Sequence, residues 1–230
     1  MYNSASPHHQ PIESAAGRPA LYLPEFEHDA CGVGFVCRIN GDPGHDMVAD
    51  GLQILRNLAH RGACSCDQAT GDGAGILIQM PHRFQQKIWR EQGVALPDPG
   101  DYGTGLVFLP RDRQLREHCR QALQDIVAAE GQQMLGWRRL PVNADCLGPL
   151  SRQAEPVVYQ VLIGCSTGGS DPSGFECRLF RIRKRVEAAV RALGGEAAAG
   201  FHIPSLSGRT LVYKSMLLAD QLPEYFPDLI

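Results

Sequence analysis

The sequence contains no apolar run approaching the roughly 18 residues that a membrane-spanning helix requires. Its first 30 residues lack the apolar core of a secretory signal. It also lacks an excess of basic charge: the formal net charge is −3 and the pI is near 6.2, which leaves no electrostatic footprint for nucleic acid. The one basic run, Arg178 to Arg191, is interrupted by Phe180, Ile182, Val186 and Glu187, so it reads as a helix with a solvated face. Paired metal-ligand spacing is missing as well. The 8 cysteines are scattered, and neither His28-x-x-Cys31 with Cys37 nor Cys64-x-Cys66 has the spacing of a closed zinc site. In a cytosolic chain such thiols stay reduced and serve mostly as small core residues. Gly71-x-Gly73-x-Gly75 lacks the spacing of a nucleotide-binding loop and precedes a strand instead of opening a helix. No internal repeat is present. Together these absences lead to the expectation of a soluble, cytoplasmic protein with no metal, nucleic-acid partner or membrane partner.

What is present suits one sizeable domain: 230 residues, 43% hydrophobic and 20% charged, are ordinary globular values. Residues 1 to about 23 are rich in Ser, Pro, Ala and Gly without periodicity, and read as a flexible leader. Cys31 to Ile39 alternates small and apolar residues up to Asn40-Gly41, which predicts a buried strand ended by a tight turn. Apolar Met47, Leu52, Leu55, Leu58 and Ala59 predict a helix over Met47 to Ala59. Ile76 to Met80 reads as a strand, and Pro81 as the opening of a helix that carries Phe84, Ile88 and Trp89. Further on, strands are predicted at Thr104 to Leu109, Gln133 to Leu140 and Pro156 to Ile163, with helices at Asp112 to Glu130 and Glu176 to Leu193. The stretch 168 to 174 reads as a surface loop, and Ala198 to Val212 as two strands around Ser205 to Gly208. The interleaving indicates a layered α/β or α+β body; periodicity does not choose between doubly wound and sandwich arrangements.

Cys31 stands where the leader meets the first ordered segment, flanked by Gly32 and Gly34, which allow close approach to the backbone. If the leader were removed before Cys31, its α-amino group, with an unperturbed pKa near ~7.7, would lie beside its own thiol as a general base. The alternative is that Cys31 is one more buried thiol.

The segment EHDACGVGF at Glu27 to Phe35 resembles the processing junction and first strand of the glutamate synthase large subunit, whose N-terminal domain is a class II glutamine amidotransferase of the N-terminal-nucleophile hydrolase type. GLQILRNLAHRGA at Gly51, TGDGAGILIQMP at Thr70, LGWRRLPVN at Leu135 and SLSGRTLVYKSML at Ser205 agree with that family in order, so the resemblance spans nearly all of Pro24 to Ile230. It implies an α+β fold, the four-layer αββα sandwich, incomplete at the C-terminus. Residues 1–30 become a propeptide and 31–230 a partial glutamine amidotransferase domain. By the same resemblance Cys31 is the catalytic nucleophile that hydrolyses L-glutamine to glutamate and ammonia, the ammonia serving to aminate 2-oxoglutarate in glutamate biosynthesis. Arg61 matches a position near that nucleophile, where a guanidinium would orient the amide or steady the terminal amine. Its structural alternative is a helix-end arginine that bonds the last carbonyls of the preceding helix. FMN and an iron–sulfur cluster are implied only for other domains of the parent enzyme. Those domains, and a small electron-supplying subunit, are the implied partners.

The chain departs from the family in several places. The His-Asn-Gly segment that supplies the oxyanion hole is missing, and Asn40-Gly41 fits a hairpin turn rather than that late loop. The arginine motif that grips the glutamine carboxylate falls beyond Ile230, and Ser65 and Ser215 replace family glycines. The expectation is a truncated domain, nearly inactive and poorly soluble by itself. Its competitors are a catalytically dead or interacting remnant of the same domain, and another class II amidotransferase such as asparagine synthetase. TGDGAGIL and SLSGRTLVYK speak for glutamate synthase.

Overall fold

Alternation along one fully buried strand and one largely buried strand organises the fold. In a strand, successive side chains point to opposite faces. In β2 (Tyr102–Leu109) and β4 (Val157–Gly164), Val107, Leu109, Val161 and Ile163 enter one apolar cluster, while Leu106, Phe108 and Val158 enter another. The central sheet therefore has a core on each side. The computed structural model describes residues 32–61, 67, 69–166 and 171–230, all within the unit Gly32–Ile230.

The sheet has the order β2-β4-β3, with β3 at Gln133–Arg139, and both pairings are antiparallel. A second antiparallel pair joins β1 (Ala74–Gln79) to β5 (Thr210–Ser215), with Ile76 opposite Tyr213 and Leu77 opposite Val212. Antiparallel pairing throughout these ladders removes the doubly wound alternative and leaves a mixed α and β body with two small sheets.

One face of the larger sheet is covered by α3 (Arg113–Ala129), α5 (Pro172–Leu193) and α6 (Gly195–Gly200). Asp112 caps α3 by accepting from Leu115 N at 2.8 Å, and Cys119, Leu123 and Val127 form its buried stripe. On α5 the stripe is Phe175, Leu179, Ile182, Val186 and Val190, and the basic side chains of Arg178 to Arg191 largely occupy the remaining faces, as expected. The opposite face of the sheet meets α1 (His45–Asn57), the β1–β5 pair, α7 (Gln221–Tyr225) and a 3-10 turn at Pro227–Leu229 through Leu52, Leu211, Tyr213, Tyr225, Phe226 and Leu229. Between β1 and β2, α2 (His82–Glu91) buries Ile88 and Trp89 against Tyr102 and Leu162.

Three expectations are corrected. Gly32 to Ile39 forms no strand, and Val33, Phe35 and Ile39 are exposed: among the described residues no strand pairs with this segment. The turn after it does form, with Gly41 N donating to Arg38 O at 3.0 Å. The loop expected at 168–174 ends early: Asp171 accepts from Gly174 N at 2.9 Å, so α5 starts at Pro172, a favourable first helical residue. Residues 167–170 lie outside the described ones. The first of the two strands expected in Ala198 to Val212 is replaced by α6 and isolated bridges of His202 to Phe108 and Ser207 to Thr104. Gly194, at φ 69°, turns the chain out of α5, and Pro204 has no N–H to extend a ladder.

A buried polar chain crosses the inner side of the larger sheet. Arg138 on β3 grips Asp228 with two bonds, Nη1 to Oδ2 at 2.6 Å and Nη2 to Oδ1 at 2.8 Å. Arg138 Nη1 also donates to Gln160 Oε1 at 3.2 Å, and Gln160 Nε2 donates to Gln85 Oε1 at 2.8 Å and Thr104 Oγ1 at 3.0 Å. The ion-paired side chains are only 10% and 6% exposed, so removal of one leaves the other uncompensated. Arg138→Met should therefore lower unfolding free energy by about 3–5 kcal/mol, measured by urea denaturation.

A second cross-link is pH-dependent. Glu130, at the end of α3, holds Arg185 Nη1 at 2.6 Å and Arg181 Nη2 at 2.7 Å on α5. The bond to Arg185 holds its carboxyl below the usual range, against the opposing effect of burial. A depressed folded pKa contributes stability above the unfolded value of about 4.3, and that stability is lost as pH falls through the folded value. The urea midpoint of Glu130→Gln should thus lie below that of the parent at neutral pH, with the gap closing as pH drops below about 4.

Candidate active site

Two of the segments that carried the family resemblance, at Thr70 and at Ser205 to Leu217, meet in one region. Thr70 to Gly75 leads into β1, Lys214 to Met216 leaves β5, and α4 (Pro149–Ala154) packs against both. Buried Thr70 is the pivot: its Oγ1 donates to Asp67 Oδ2 at 2.7 Å and accepts from Ser151 N at 3.3 Å. Asp67 also accepts from Ala69 N at 3.0 Å and Leu150 N at 3.2 Å. The Thr70 bond, reinforced by these N–H groups, holds the Asp67 carboxyl below its ordinary range. Ser151 Oγ donates to Met216 O at 3.0 Å, tying α4 to the end of β5.

Gln221 completes the lock. Its Oε1 accepts from Leu218 N at 2.8 Å, while Nε2 donates to Ala69 O at 2.8 Å and to Cys146 O at 2.7 Å. The loop is held so closely that a Cβ at Gly71 would collide with the backbone carbonyl of Leu217. This explains a glycine there without any phosphate chemistry.

Beside the loop lies a cleft of ≈ 800 Å³, lined among others by Asp72, Gly73, Glu155, His202, Lys214 and Tyr225. Its size lies within the range of small-molecule sites. It carries both signs of charge, which a zwitterionic ligand needs. Glu155 is already engaged, accepting from Tyr225 Oη at 3.0 Å and lying 3.8 Å from Arg111. Burial, aided by Glu155, pushes the Tyr225 hydroxyl well above its usual range and keeps it protonated as a donor. His202 stacks on Phe108 with ring centroids 6.0 Å apart. Burial first, then nearby Lys214, lowers the imidazole pKa and favours its neutral form.

Of the residues singled out in the sequence, Cys31 lies outside the described ones, as do Cys64 and Cys66. Arg61 closes a 3-10 turn at Ala59–Arg61 immediately after α1, but its side chain lies outside what is described. Neighbouring His60 donates from Nδ1 to Asn57 O at 3.0 Å, so one helix-end carbonyl is capped by histidine. Gly73, just before β1, and Gly75, within it, both line the cleft. Sequence reasoning missed His202, Glu155 and the Asp67–Thr70–Ser151 lock, in which Asp67 and Thr70 bind Leu150 and Ser151, more than 80 positions further on.

Because backbone atoms block the space at Gly71, Gly71→Ala should displace the loop and lower stability by about 1–3 kcal/mol. Thermal denaturation would register the loss.

The model of the class-II glutamine amidotransferases matches residues 31–230. The chain is 41% identical over 210 residues to the glutamate synthase [NADPH] large chain of Azospirillum brasilense, covering 91% of this chain and 14% of that protein. It is 39% identical over 209 residues to the corresponding Bacillus subtilis chain, covering 91% and 13%. Against ferredoxin-dependent glutamate synthase 2 of Synechocystis it is 36% identical over 220 residues, covering 95% and 14%. The chain thus spans only 13–14% of the length of these curated relatives. With the family match running from Cys31 to Ile230, the chain belongs to the class-II glutamine amidotransferases.

Proposed function

We propose that residues 31–230 form the glutamine-hydrolysing domain of a glutamate synthase large chain, with Cys31 as its nucleophile. The observation that carries this reading is where the family match begins: at Cys31, the junction that the EHDACGVGF resemblance marks as a processing site. The relatives named as glutamate synthases support the larger assignment. Helices covering the outer face of an antiparallel sheet, with a second sheet on its inner side, support the four-layer αββα arrangement.

In this proposal residues 1–30 are removed and the new α-amino group of Cys31, with a pKa near ~7.7, accepts the thiol proton in its unprotonated form. The thiolate attacks the side-chain carbonyl carbon of glutamine. As the C–N bond breaks, the proton passes to the departing nitrogen and ammonia leaves. The acyl group remains on Sγ as a thioester. Water then adds, glutamate is released and the thiol is restored. Arg61 orients the amide or the terminal amine through charge-assisted bonds. Asp72 and Lys214 give the cleft the opposite charges that an amino-acid substrate presents.

The parent enzyme would use the ammonia to aminate 2-oxoglutarate in the cytoplasm, with electrons from a nicotinamide cofactor or ferredoxin and with a small subunit as partner. FMN and an iron–sulfur cluster belong to that wider enzyme. Among the described residues no three His, Cys, Asp or Glu side chains gather as a ligand set, and no step above runs through such a group. No helix among them is long and apolar enough to cross a membrane.

The test is made on the product of the complete gene. Intact mass and terminal sequencing should show Cys31 as the first residue. Cys31→Ala should lose glutamine hydrolysis by at least about a thousandfold. A mature chain that begins at Met1 and hydrolyses glutamine normally would overturn the reading.

A further inference from the structure

A second concavity, ≈ 290 Å³ in volume, lies between α5 and the segment that follows α6. Its polar wall consists of Arg183, Lys184, Glu187 and Arg191 from one side of α5, with Phe201 and His202 opposite. Three cationic side chains thus face one carboxylate. Glu187 is shared by Lys184, at 2.9 Å, and Arg183, at 3.4 Å. Arg191 has no ion-pair partner among the described residues. Arg183 fastens the opposite wall through Nη1 to Pro204 O at 3.0 Å, while its Nε faces Glu187 Oε1 at 3.4 Å without completing a hydrogen bond. Three cations against one carboxylate leave net positive charge in a concave place, which favours an occupant that carries negative charge.

We propose that this concavity binds a small dianion bearing phosphate or carboxylate groups, held by Arg183, Lys184 and Arg191 and sensed by His202. Guanidinium groups match both chemistries in bidentate geometry. The volume admits a phosphate or a short dicarboxylate and excludes a folded partner. His202 lines both this concavity and the larger cleft, so an occupant here reaches the candidate active site through one imidazole. The charged groups that act on that ring are Arg183, Lys184 and Glu187 from α5 and Lys214 from β5. A dianion offsets the cations among them and favours the imidazolium. None of this depends on Cys31 being a nucleophile.

The experiment is an NMR pH titration of His202 in the full 230-residue chain, its resonance assigned by loss in His202→Gln. Sodium phosphate, sodium succinate and sodium chloride are compared at equal ionic strength. At least one dianion should raise the midpoint by about one pH unit over chloride. A response to phosphate alone assigns phosphate chemistry, a response to succinate alone assigns carboxylate chemistry, and a response to both assigns the shared charge. Arg191→Gln, a change at an exposed side chain, should weaken the dianion about tenfold, whereas Glu187→Gln should tighten it by removing the opposing charge. Equal midpoints in all three salts, or an undiminished response in Arg191→Gln, would overturn the site.

Discussion

The bidentate pair between Arg138 and Asp228 determines how the C-terminal segment closes over the inner face of the central sheet. Asp228 sits in the turn that brings Leu229 into the core, and Tyr213 Oη on β5 donates to the same carboxylate at 3.3 Å. One buried ion pair therefore connects both sheets and the last turn. Such a pair gains little net stability relative to apolar packing, but it penalises any arrangement that separates its members. It acts as a register device for the segment that carries Gln221.

That positioning reaches the candidate active site through Gln221. The β5–α7 connection is held against Cys146 and Ala69 by a single amide side chain, and Ala69 adjoins the Thr70 pivot. The glycine loop beside the cleft is consequently rigid for reasons that lie in packing and hydrogen bonding around it. Charge is arranged differently in the two concavities. The larger one mixes carboxylates with Lys214, whereas the smaller one is dominated by arginine and lysine, and His202 is common to both.

The helices were legible because their signals are local. Asp112 and the Cys119–Leu123–Val127 stripe lie within one element, and the same holds for the apolar spacing on α5. The α5 start was misjudged because Asp171-Pro172 serves equally as a turn or as a cap and first helical residue, and the choice depends on the Asp171–Gly174 bond. The segment Cys31 to Ile39 reads as a strand by alternation, but a strand exists only with a partner, and Gly32 to Ile39 has none among the described residues.

By itself the sequence determined the family, the order of most elements and the identity of Cys31 as the residue at the match boundary, because long collinear motifs and short-range periodicity are written in consecutive residues. Only the tertiary structure decided that Thr70 meets Ser151, that Gln221 reaches Ala69, that Arg138 holds Asp228 and that His202 stands between two clefts. Those contacts join residues from distant parts of the chain. Their energies arise from burial and mutual hydrogen bonding, which no single segment contains.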